Sequence, residues 1–359
     1  MKEKKEKKSG GWKRGVLITV CVILALLLIA AACIGAYINY LLNRMQRVEP
    51  GKESTISSSE LDDLLSTDPD LTPIDPSESL PSIEDVTFPT EITEPTEPEV
   101  KEDNVINILL VGQDRRPGEG RARSDSMILV SFNTKAKVIT LTSFMRDSYV
   151  QIPGYKPHKL NHSFQYGGFG LLNETLKVNF GVEVDGNVEV DFKSFEKLID
   201  LMGGVELTLT EPEASYLYNG SGKKFDVVPG LNRLSGEEAL MYARLREIDN
   251  DYQRTNRQRK VLLSLAQEYK NQPVDQMVKL LEEILGMVTT NMDNGEIWDI
   301  AWEVMPMLAS AEYRTMQIPA HGTFKGGSVR VRDGLKAWFQ YDIDFETNRK
   351  LLKDVFEEE

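Results

Sequence analysis

The sequence predicts an α/β fold, in which one globular domain has a central mixed β-sheet packed between helices. Short apolar runs of strand length recur in residues 104–209, and longer segments of helical period follow them. One transmembrane helix and a disordered linker are predicted to precede this domain, because the first hundred residues are first almost wholly apolar and then acidic and proline-rich.

The N-terminal residues predict a membrane anchor. Residues 1–15 form a basic cytoplasmic tail, and residues 16–42 are predicted to be a transmembrane helix whose first 23 residues carry no charge. At 1.5 Å per residue, that length crosses a hydrocarbon core of roughly 30 Å. Basic residues stay on the cytoplasmic side, so the rest of the chain is expected outside. A cleaved signal peptide is the alternative, although its apolar region is usually about 7 to 15 residues long.

Residues 43–103 are predicted to be a disordered acidic linker. They are rich in Pro, Ser, Thr, Asp and Glu and have a net charge of −13, against +5 for the residues before them and −6 for those after. Such a composition buries too little apolar surface to offset its ordering entropy. Both cysteines, Cys21 and Cys33, lie in the apolar run, so no disulfide framework is expected. The absence of disulfides is typical of proteins on the bacterial exterior, where disulfides are uncommon.

The globular domain is predicted to span residues 104–359 and to start with a three-stranded antiparallel meander. Short links join the first three strands, whereas helical crossovers separate the later ones, which predicts mixed strand order. Strands are predicted at residues 106–111, 127–132, 138–141, 188–192 and 205–209. Helices are predicted at residues 170–178, 195–202, 236–246, 252–269, 274–288, 296–308 and 345–356. Ser235 with Glu238 makes a capping box, and Asp344 can cap the last helix.

The meander brings carboxylates and arginines to one end of the sheet. The first strand ends near Asp114, the second begins near Asp125, and the third returns to Arg146. Two carboxylates on neighbouring strand ends, with no Cys/His cluster expected anywhere in the chain, suit a hard divalent ion that shares phosphate oxygens, most naturally Mg²⁺. The alternative is that each aspartate is a loop or cap residue paired with a neighbouring arginine.

Arginines recur in an acidic chain of net charge −14, which indicates an anion-binding site rather than a basic surface. Arg244 and Arg246 lie two residues apart, so both reach one ligand only if the helix ends beside them. Arg254 and Gln258 share a helical face with apolar residues and therefore need polar partners. A bound phosphate would supply them, because guanidinium groups bind its oxygens bidentately. Salt bridges to Glu247, Asp249 or Asp251 are the alternative.

The sequences of these motifs are similar to those of one bacterial family. In order, they are NILLVGQD (107–114), RSDSMIL (123–129), RD (146–147), KLNHS (159–163), GGV (203–205), GEEALMYARLR (236–246) and RTNRQ (254–258). Together they resemble the LytR-CpsA-Psr family of cell-wall glycopolymer ligases over roughly residues 104–270. Met145 replaces the Pro or Leu associated with that position, which affects packing more than chemistry.

The resemblance implies a membrane-anchored, extracytoplasmic enzyme of Gram-positive type. It would move an anionic glycopolymer, such as teichoic acid or capsular polysaccharide, from a polyprenyl diphosphate carrier to peptidoglycan. Asp114 and Asp125 would hold Mg²⁺ or Mn²⁺. The diphosphate would be cradled by Arg123, Arg146, Arg244, Arg246 and Gln258. Residues with less defined roles in matching segments are Asp147, Lys159, Arg254 and Arg257. The walls of a lipid tunnel could include Leu171, Leu172, Leu198 and Met202, which suit a plain core equally well.

Other function classes stay open at this point. A hydrolase would release phosphate from the polyprenyl diphosphate, and a receptor would bind the lipid without catalysis. Asp147 or Asp125 could accept the proton of an attacking sugar hydroxyl. The histidines His158, His162 and His321 are interpreted as structural, because no nucleophile motif accompanies them. Nucleic-acid binding is disfavoured by the negative charge of the domain.

Overall fold

The computed structural model describes residues 33–75, 77–86, 104–113, 121–270 and 273–357. Residues 33–42 are helical (α1) and belong to a unit of residues 1–45, whereas residues 46–359 form a second compact unit. Residues 16–32 of the predicted transmembrane helix, and the whole predicted cytoplasmic tail, lie outside the described residues. Within the described part of the chain, none of the helices has both the length and the apolarity that a membrane span requires.

The second unit combines strands and helices as the sequence predicts, with several additional elements. The strands are β1 (Gln46–Arg47), β2 (Thr72–Pro73), β3 (Val105–Gln113), β4 (Ser124–Asn133), β5 (Val138–Phe144), β6 (Tyr149–Val150), β7 (His158–Lys159), β8 (Gly186–Asp191), β9 (Val205–Leu209), β10 (Gly230–Leu234), β11 (Val288–Thr290), β12 (Glu312–Ile318), β13 (Lys325–Arg332) and β14 (Leu335–Tyr341). The helices are α2 (Ser58–Ser66), α3 (Leu160–Phe180), α4 (Phe192–Leu201), α5 (Glu211–Gly220), α6 (Gly236–Arg244), α7 (Asp251–Lys270), α8 (Val274–Leu285), α9 (Asn294–Leu308) and α10 (Phe345–Phe356).

The prediction of a central mixed sheet is confirmed. Its strand order is β1-β11-β8-β3-β4-β5-β12. The predicted meander forms its middle, because β4 pairs antiparallel with both β3 and β5. In contrast, β8 pairs parallel with β3, and β12 pairs parallel with β5. Smaller sheets join β9 to β10 and β13 to β14 and β2.

Helices cover both faces of this sheet, as the alternation of side chains along its strands requires. On one face, Leu109 and Met127 pack in a core cluster with Leu172 of α3 and Leu352 of α10. On the other face, α9 packs against Ile106 and its neighbours near the start of β3. Further along that second face, α4, α6 and α7 stand over the sheet and leave a cavity.

The helix ends that matter for the site follow the predicted capping. Ser235 and Glu238 form a reciprocal capping box at the start of α6. The same helix ends at Arg244, because Leu245 adopts an extended conformation with ψ of 129°. The expectation that a helix ends beside Arg244 and Arg246 is therefore confirmed. Asp344 caps α10 through the backbone N–H of Thr347, as predicted.

The structure differs from the predicted linker over residues 46–86, here called the strap. Its apolar side chains Ile56, Leu61 and Leu64 pack against the main core cluster, and α2 forms within it. Its acidic side chain Glu53 accepts hydrogen bonds from the backbone of Phe169 and Gly170 at 3.0 and 2.8 Å. The acidic composition predicts disorder only if its charges stay in water, and in the strap several are paired with groups of the domain.

Candidate functional site

An apolar cavity of about 360 Å³ lies between the sheet and three helices. Strands β3, β4 and β8 form its floor, and α4, α6 and α7 form its walls. The apolar lining residues are Leu110, Val111, Ile128, Val188, Val190, Phe192, Phe195, Leu198, Leu240, Ala243 and Leu262. This volume and character are typical of a pocket for an organic ligand. Of the four residues considered as tunnel walls, Leu198 lines the cavity, whereas Leu171, Leu172 and Met202 pack in core clusters.

Charged side chains gather at one end of the cavity, here called the mouth. The chain segments that meet there are the start of β4, the residue after β5, the end of α6 and the first turns of α7. The mouth residues are Asp125, Arg146, Arg244, Arg246, Arg254 and Gln258. Because α6 ends at Arg244, the arginines on either side of Leu245 both reach the cavity. The structure thus brings together six of the residues that the sequence singles out.

Two polar side chains of α7, Arg254 and Gln258, have hydrogen-bond partners within the chain itself. Arg254 is buried, and it donates to Asp251 at 2.7 Å and to the backbone carbonyl of Asp125 at 3.0 Å. Gln258 accepts from Ser126 at 3.1 Å and donates to the carbonyl of Ala243 at 3.3 Å. The salt-bridge alternative is therefore correct for Arg254. These bonds also fix both side chains in place at the mouth.

Arg146 connects the mouth to a second recess. Its guanidinium group pairs with Asp125 and lies 3.5 Å from Asp147. Burial alone would lower the pKa of Arg146, but the charges of Asp147 and Asp125 outweigh burial and raise it. The group therefore remains cationic at the boundary between two cavities.

The second recess is a polar groove of about 930 Å³ that shares Arg146 and Arg246 with the cavity. Its carboxylates and lysine are Asp70, Asp147, Asp249, Asp251 and Lys159. Its aromatic residues are Tyr252, His321, Phe324 and Trp338, and half of the Trp338 side chain is exposed. Cavity and groove thus meet at two arginines, with apolar walls on one side and polar and aromatic groups on the other.

Arg246 has the longest of the described ion pairs at the mouth. Its guanidinium group is 39% exposed and lies 3.7 Å from Asp251. Burial lowers the pKa of Arg246 to about 10, and the neighbouring charges of Arg254 and Arg146 add to this effect. Such crowding of cations favours a bound anion, which would relieve their mutual repulsion.

Three residues predicted to bind the diphosphate do not line the cavity. Arg123 donates to Asp68 and Asp70 of the strap at 2.9 and 3.1 Å. Lys159 is 2% exposed, and its ammonium group lies between Asp70 at 2.7 Å and Asp147 at 3.0 Å, at the side of the groove. Both cations are therefore paired with carboxylates of the strap and not with a phosphate. The sequence predicts these carboxylates to lie in a disordered linker.

Arg257 is the third of these residues, and its contacts are structural. It is buried and donates to both carboxylate oxygens of Asp249 at 2.7 and 2.8 Å and to the carbonyl of Leu245 at 2.7 Å. These bonds hold the segment that follows α6. Arg257 therefore positions Arg244 and Arg246 without facing the cavity.

The predicted metal ligands are only partly described. Asp114 lies outside the described residues, whereas Asp125 lines the mouth with its side chain 28% exposed. Sequence reasoning missed Asp251 as a site residue and treated it only as a salt-bridge partner. One of its oxygens is buried without a hydrogen-bond partner. Burial raises the pKa of Asp251, but the charge of Arg254 outweighs burial and lowers it, so the group is ionised.

Comparisons with known proteins agree with this geometry. The sequence profile of the LytR_cpsA_psr family matches residues 81–342. The regulatory protein MsrR of Staphylococcus aureus (strain COL) is 32% identical over 264 residues, which are 72% of this chain and 77% of MsrR. The polyisoprenyl-teichoic acid–peptidoglycan teichoic acid transferase TagT of Bacillus subtilis (strain 168) is 36% identical over 170 residues, 46% of this chain and 53% of TagT.

A solved structure also has this fold and carries a relevant ligand. The LytR-CPS2A-psr family protein YwtF (TagT) with bound octaprenyl pyrophosphate lipid superposes with a TM-score of 0.54 and 25% identity. The match covers 72% of this chain and 94% of that one. Profile, relatives and fold agree, and the chain belongs to the LytR-CpsA-Psr family.

Proposed function

We propose that this chain transfers an anionic glycopolymer from a polyprenyl diphosphate carrier to peptidoglycan, forming a phosphodiester link. The observation that carries this proposal is the apolar cavity with arginines gathered at one end. A polyprenyl diphosphate has the matching parts, since its hydrocarbon needs apolar walls and its phosphates need charge-assisted donors. The cargo would be teichoic acid, capsular polysaccharide or another secondary wall polymer.

The polar groove is the proposed site of the acceptor, because it meets the cavity at Arg146 and Arg246. A sugar hydroxyl in the groove would attack the sugar-linked phosphorus, and polyprenyl phosphate would leave on the cavity side. The two arginines would offset the charge that develops on the departing phosphate. Of the two proposed bases, Asp147 lines the groove and Asp125 lines the cavity, so Asp147 is on the acceptor's side.

We propose Mg²⁺ or Mn²⁺ as the cofactor, held by Asp125 together with Asp114. Among the described residues of the mouth, the anionic donors are carboxylate oxygens, which suit a hard ion that also binds phosphate. When bound, the ion would supply further positive charge to the diphosphate. Calorimetry on the Asp114→Ala/Asp125→Ala double variant is expected to show weaker Mg²⁺ binding. Undiminished binding would remove both carboxylates as ligands.

The reaction product distinguishes the proposal from its alternatives. Purified chain, lipid-linked glycopolymer and a peptidoglycan oligomer would be mixed with Mg²⁺, and linked polymer and orthophosphate would be measured in parallel. The proposal expects a phosphodiester-linked polymer. Orthophosphate without linked polymer would instead establish a hydrolase, and tight lipid binding without either product would establish a receptor.

The role of the cavity is tested by filling it. Leu198 lines the cavity, whereas Leu201, three residues on in the same helix, is 40% exposed. Leu198→Trp is expected to abolish binding of a long-chain polyprenyl diphosphate and to spare a short-chain analogue. Leu201→Trp is the matched control and is expected to bind both lipids. Equal binding of the long lipid by the two variants would place the hydrocarbon elsewhere.

Membrane anchoring by residues 16–42 completes the proposal, because the carrier lipid lies in the bilayer. Protease added to intact cells is expected to digest residues 104–359 and to leave the basic tail protected. Protection of the whole chain would contradict the proposed extracytoplasmic location.

A further inference from the structure

A second polar cluster, apart from the mouth, joins the strap to the start of α3. It consists of Asp68 from the strap, His158 of β7 and His162 in the first turn of α3. One potential ligand atom from each residue lies within 4.8 Å of the other two. The side chains of Asp68 and His162 are only 5% and 4% exposed. None of the three lines the cavity or the groove, so the proposed transfer reaction does not use them.

The contacts around this cluster place the Asp68 carboxylate and the His162 ring face to face. One oxygen of Asp68 accepts from Arg123 and from the backbone N–H of Asp70, each at 2.9 Å. Its other oxygen lies 3.3 Å from Nε2 of His162. Nδ1 of His162 lies 3.0 Å from the side-chain oxygen of Asn161, which can only accept. With its proton on Nδ1, His162 presents the lone pair of Nε2 to the Asp68 carboxylate, and the side-chain nitrogen of Asn161 is then buried without a hydrogen-bond partner.

Both imidazoles are in the form that binds a metal. Burial lowers the pKa of His162, and it lowers the pKa of His158 more strongly. Burial raises the pKa of Asp68, but the backbone N–H of Asp70 and the charge of Arg123 act in the opposite direction, and the carboxyl group is ionised. Neutral histidines and an ionised aspartate do not have to release a proton before they bind a cation.

The separation between Asp68 and His162 fits a bridging ion. A tetrahedral ion with bonds of roughly 2.0 to 2.1 Å separates its ligand atoms by about 3.3 Å. The distance from Asp68 to His162 is 3.3 Å, longer than the usual N–H···O separation of about 2.9 to 3.0 Å. Nδ1 of His158 and the hydroxyl of Tyr166 are also buried without a hydrogen-bond partner. The Tyr166 ring packs against His162 with centroids 5.6 Å apart.

We propose that Asp68, His158 and His162 bind a divalent transition-metal ion, with Zn²⁺ as the best fit, and that this ion fastens the strap to the domain. Mixed imidazole and carboxylate donors in a small closed site favour Zn²⁺ over Mg²⁺. The contacts from Arg123 and the Asp70 backbone orient the Asp68 carboxylate, as outer partners of metal ligands commonly do. A water molecule as the fourth ligand of the ion would provide a hydrogen-bond partner for the buried hydroxyl of Tyr166.

The test uses the full chain without an affinity tag, stripped with EDTA and titrated with ZnCl₂ in a calorimeter. His158→Gln and His162→Gln are the ligand variants, and His321→Gln is the control because His321 is exposed and outside the cluster. Wild type and control are expected to bind one Zn²⁺ per chain. Each ligand variant is expected to lose more than about tenfold in affinity, since loss of an outer partner alone costs about that much.

Two further measurements keep the proposal falsifiable if a variant folds poorly. Co²⁺ added to the wild type is expected to give the visible absorption of a four-coordinate site, and Zn²⁺ is expected to slow hydrogen exchange in residues 58–75. In metal-free protein, nitrogen NMR is expected to show the Nδ1–H form of His162. The Nε2–H form, or Zn²⁺ affinity equal in all variants, would overturn the proposal and establish a direct hydrogen bond to Asp68. Neither result depends on transfer activity.

Discussion

Two groups of cationic side chains in this molecule differ in how their charge is balanced. The cavity mouth contains four arginines and one carboxylate, namely Arg146, Arg244, Arg246, Arg254 and Asp125, and Asp251 of the adjoining groove pairs with Arg254 and Arg246. The strap cluster contains two cations and three carboxylates, namely Arg123, Lys159, Asp68, Asp70 and Asp147. Among the side chains of the mouth, arginines outnumber carboxylates, whereas in the strap cluster carboxylates outnumber cations. We interpret the arginine-rich mouth as the anion site and the strap cluster, in which Arg123 and Lys159 are both paired with carboxylates, as the group that holds the strap in place.

Removal of the strap is the largest test of this comparison. Deleting residues 46–86 would expose the core that Ile56, Leu61 and Leu64 cover and would leave Arg123 and Lys159 without strap carboxylates. Unpairing a buried charge costs about 3 to 5 kcal/mol, and a typical domain has only about 5 to 15 kcal/mol of stability.

We therefore expect the shortened chain to be unfolded, as measured by circular dichroism and thermal melting. Deleting residues 88–100, which the sequence predicts to be linker, is the matched control. It is expected to leave the melting temperature unchanged. A folded, cooperative chain without the strap would show that the strap cluster is not structural.

The predicted fold was most accurate where the sequence pattern is local. The segments that form β3, β4, β5 and β9 contain their own short apolar runs, so each could be located without knowledge of its neighbours. In contrast, β11 has three residues, of which the sequence places only Val288 at the end of a predicted helix, 274–288, and assigns no element to Thr289 and Thr290. Its strand conformation depends on pairing with β8 and β1, which no local pattern records.

Prediction of the site residues was limited for the same reason, because a local pattern does not show which distant residues form a pair. The mouth arginines could be assigned because a helix end and a shared helical face position them. Arg123 was assigned to the diphosphate because its partners, Asp68 and Asp70, lie 55 and 53 residues away in a segment whose composition predicts disorder. Lys159 finds Asp70 across 89 residues. Composition records how many charges a segment has and says nothing about which cations neutralise them.

Arg123 offers the next largest effect, on stability rather than on binding. Arg123→Ala removes the contacts at 2.9 and 3.1 Å to Asp68 and Asp70 and leaves those carboxylates short of a partner. We expect the free energy of unfolding in denaturant to fall by about 3 kcal/mol. Affinity for polyprenyl diphosphate is expected to change little, because Arg123 does not line the cavity. A large loss of affinity with unchanged stability would reverse the assignment of the two groups.

Arg246 is expected to show the opposite behaviour. Its side chain is 39% exposed, so Arg246→Ala should lower stability by less than Arg123→Ala. A charge-assisted contact contributes about 1.5 to 3 kcal/mol, so lipid affinity should fall by at least about tenfold. Turnover at saturating lipid should fall further, because the leaving phosphate gains charge in the transition state.

The conservative variant sharpens this expectation. Arg246→Lys keeps the charge but loses the bidentate fork, so it should restore affinity better than turnover. The measurement is lipid binding by calorimetry alongside single-turnover transfer. If both variants lose the same affinity and neither loses turnover, Arg246 stabilises only the bound lipid and not the transition state. That result would favour a receptor.

The smallest expected effect concerns how the mouth orients an arginine. The guanidinium carbon of Arg244 lies 4.6 Å from the centre of the Phe192 ring, which also lines the cavity. Phe192→Leu keeps the wall apolar but removes the π face. A cation–π contact at an exposed site contributes about 0.5 to 1 kcal/mol, so lipid affinity should fall about two- to fivefold.

Phe192→Tyr retains the π face and is the control, with affinity expected close to that of the wild type. A double-mutant cycle with Arg244→Ala separates orientation from wall packing, since Phe192→Leu should have little further effect once the guanidinium is gone. If the Leu substitution costs the same affinity with and without Arg244, Phe192 acts only as a wall for the hydrocarbon. Arg244 would then be positioned by the end of α6 and by the contacts of Arg257 with the segment that follows it.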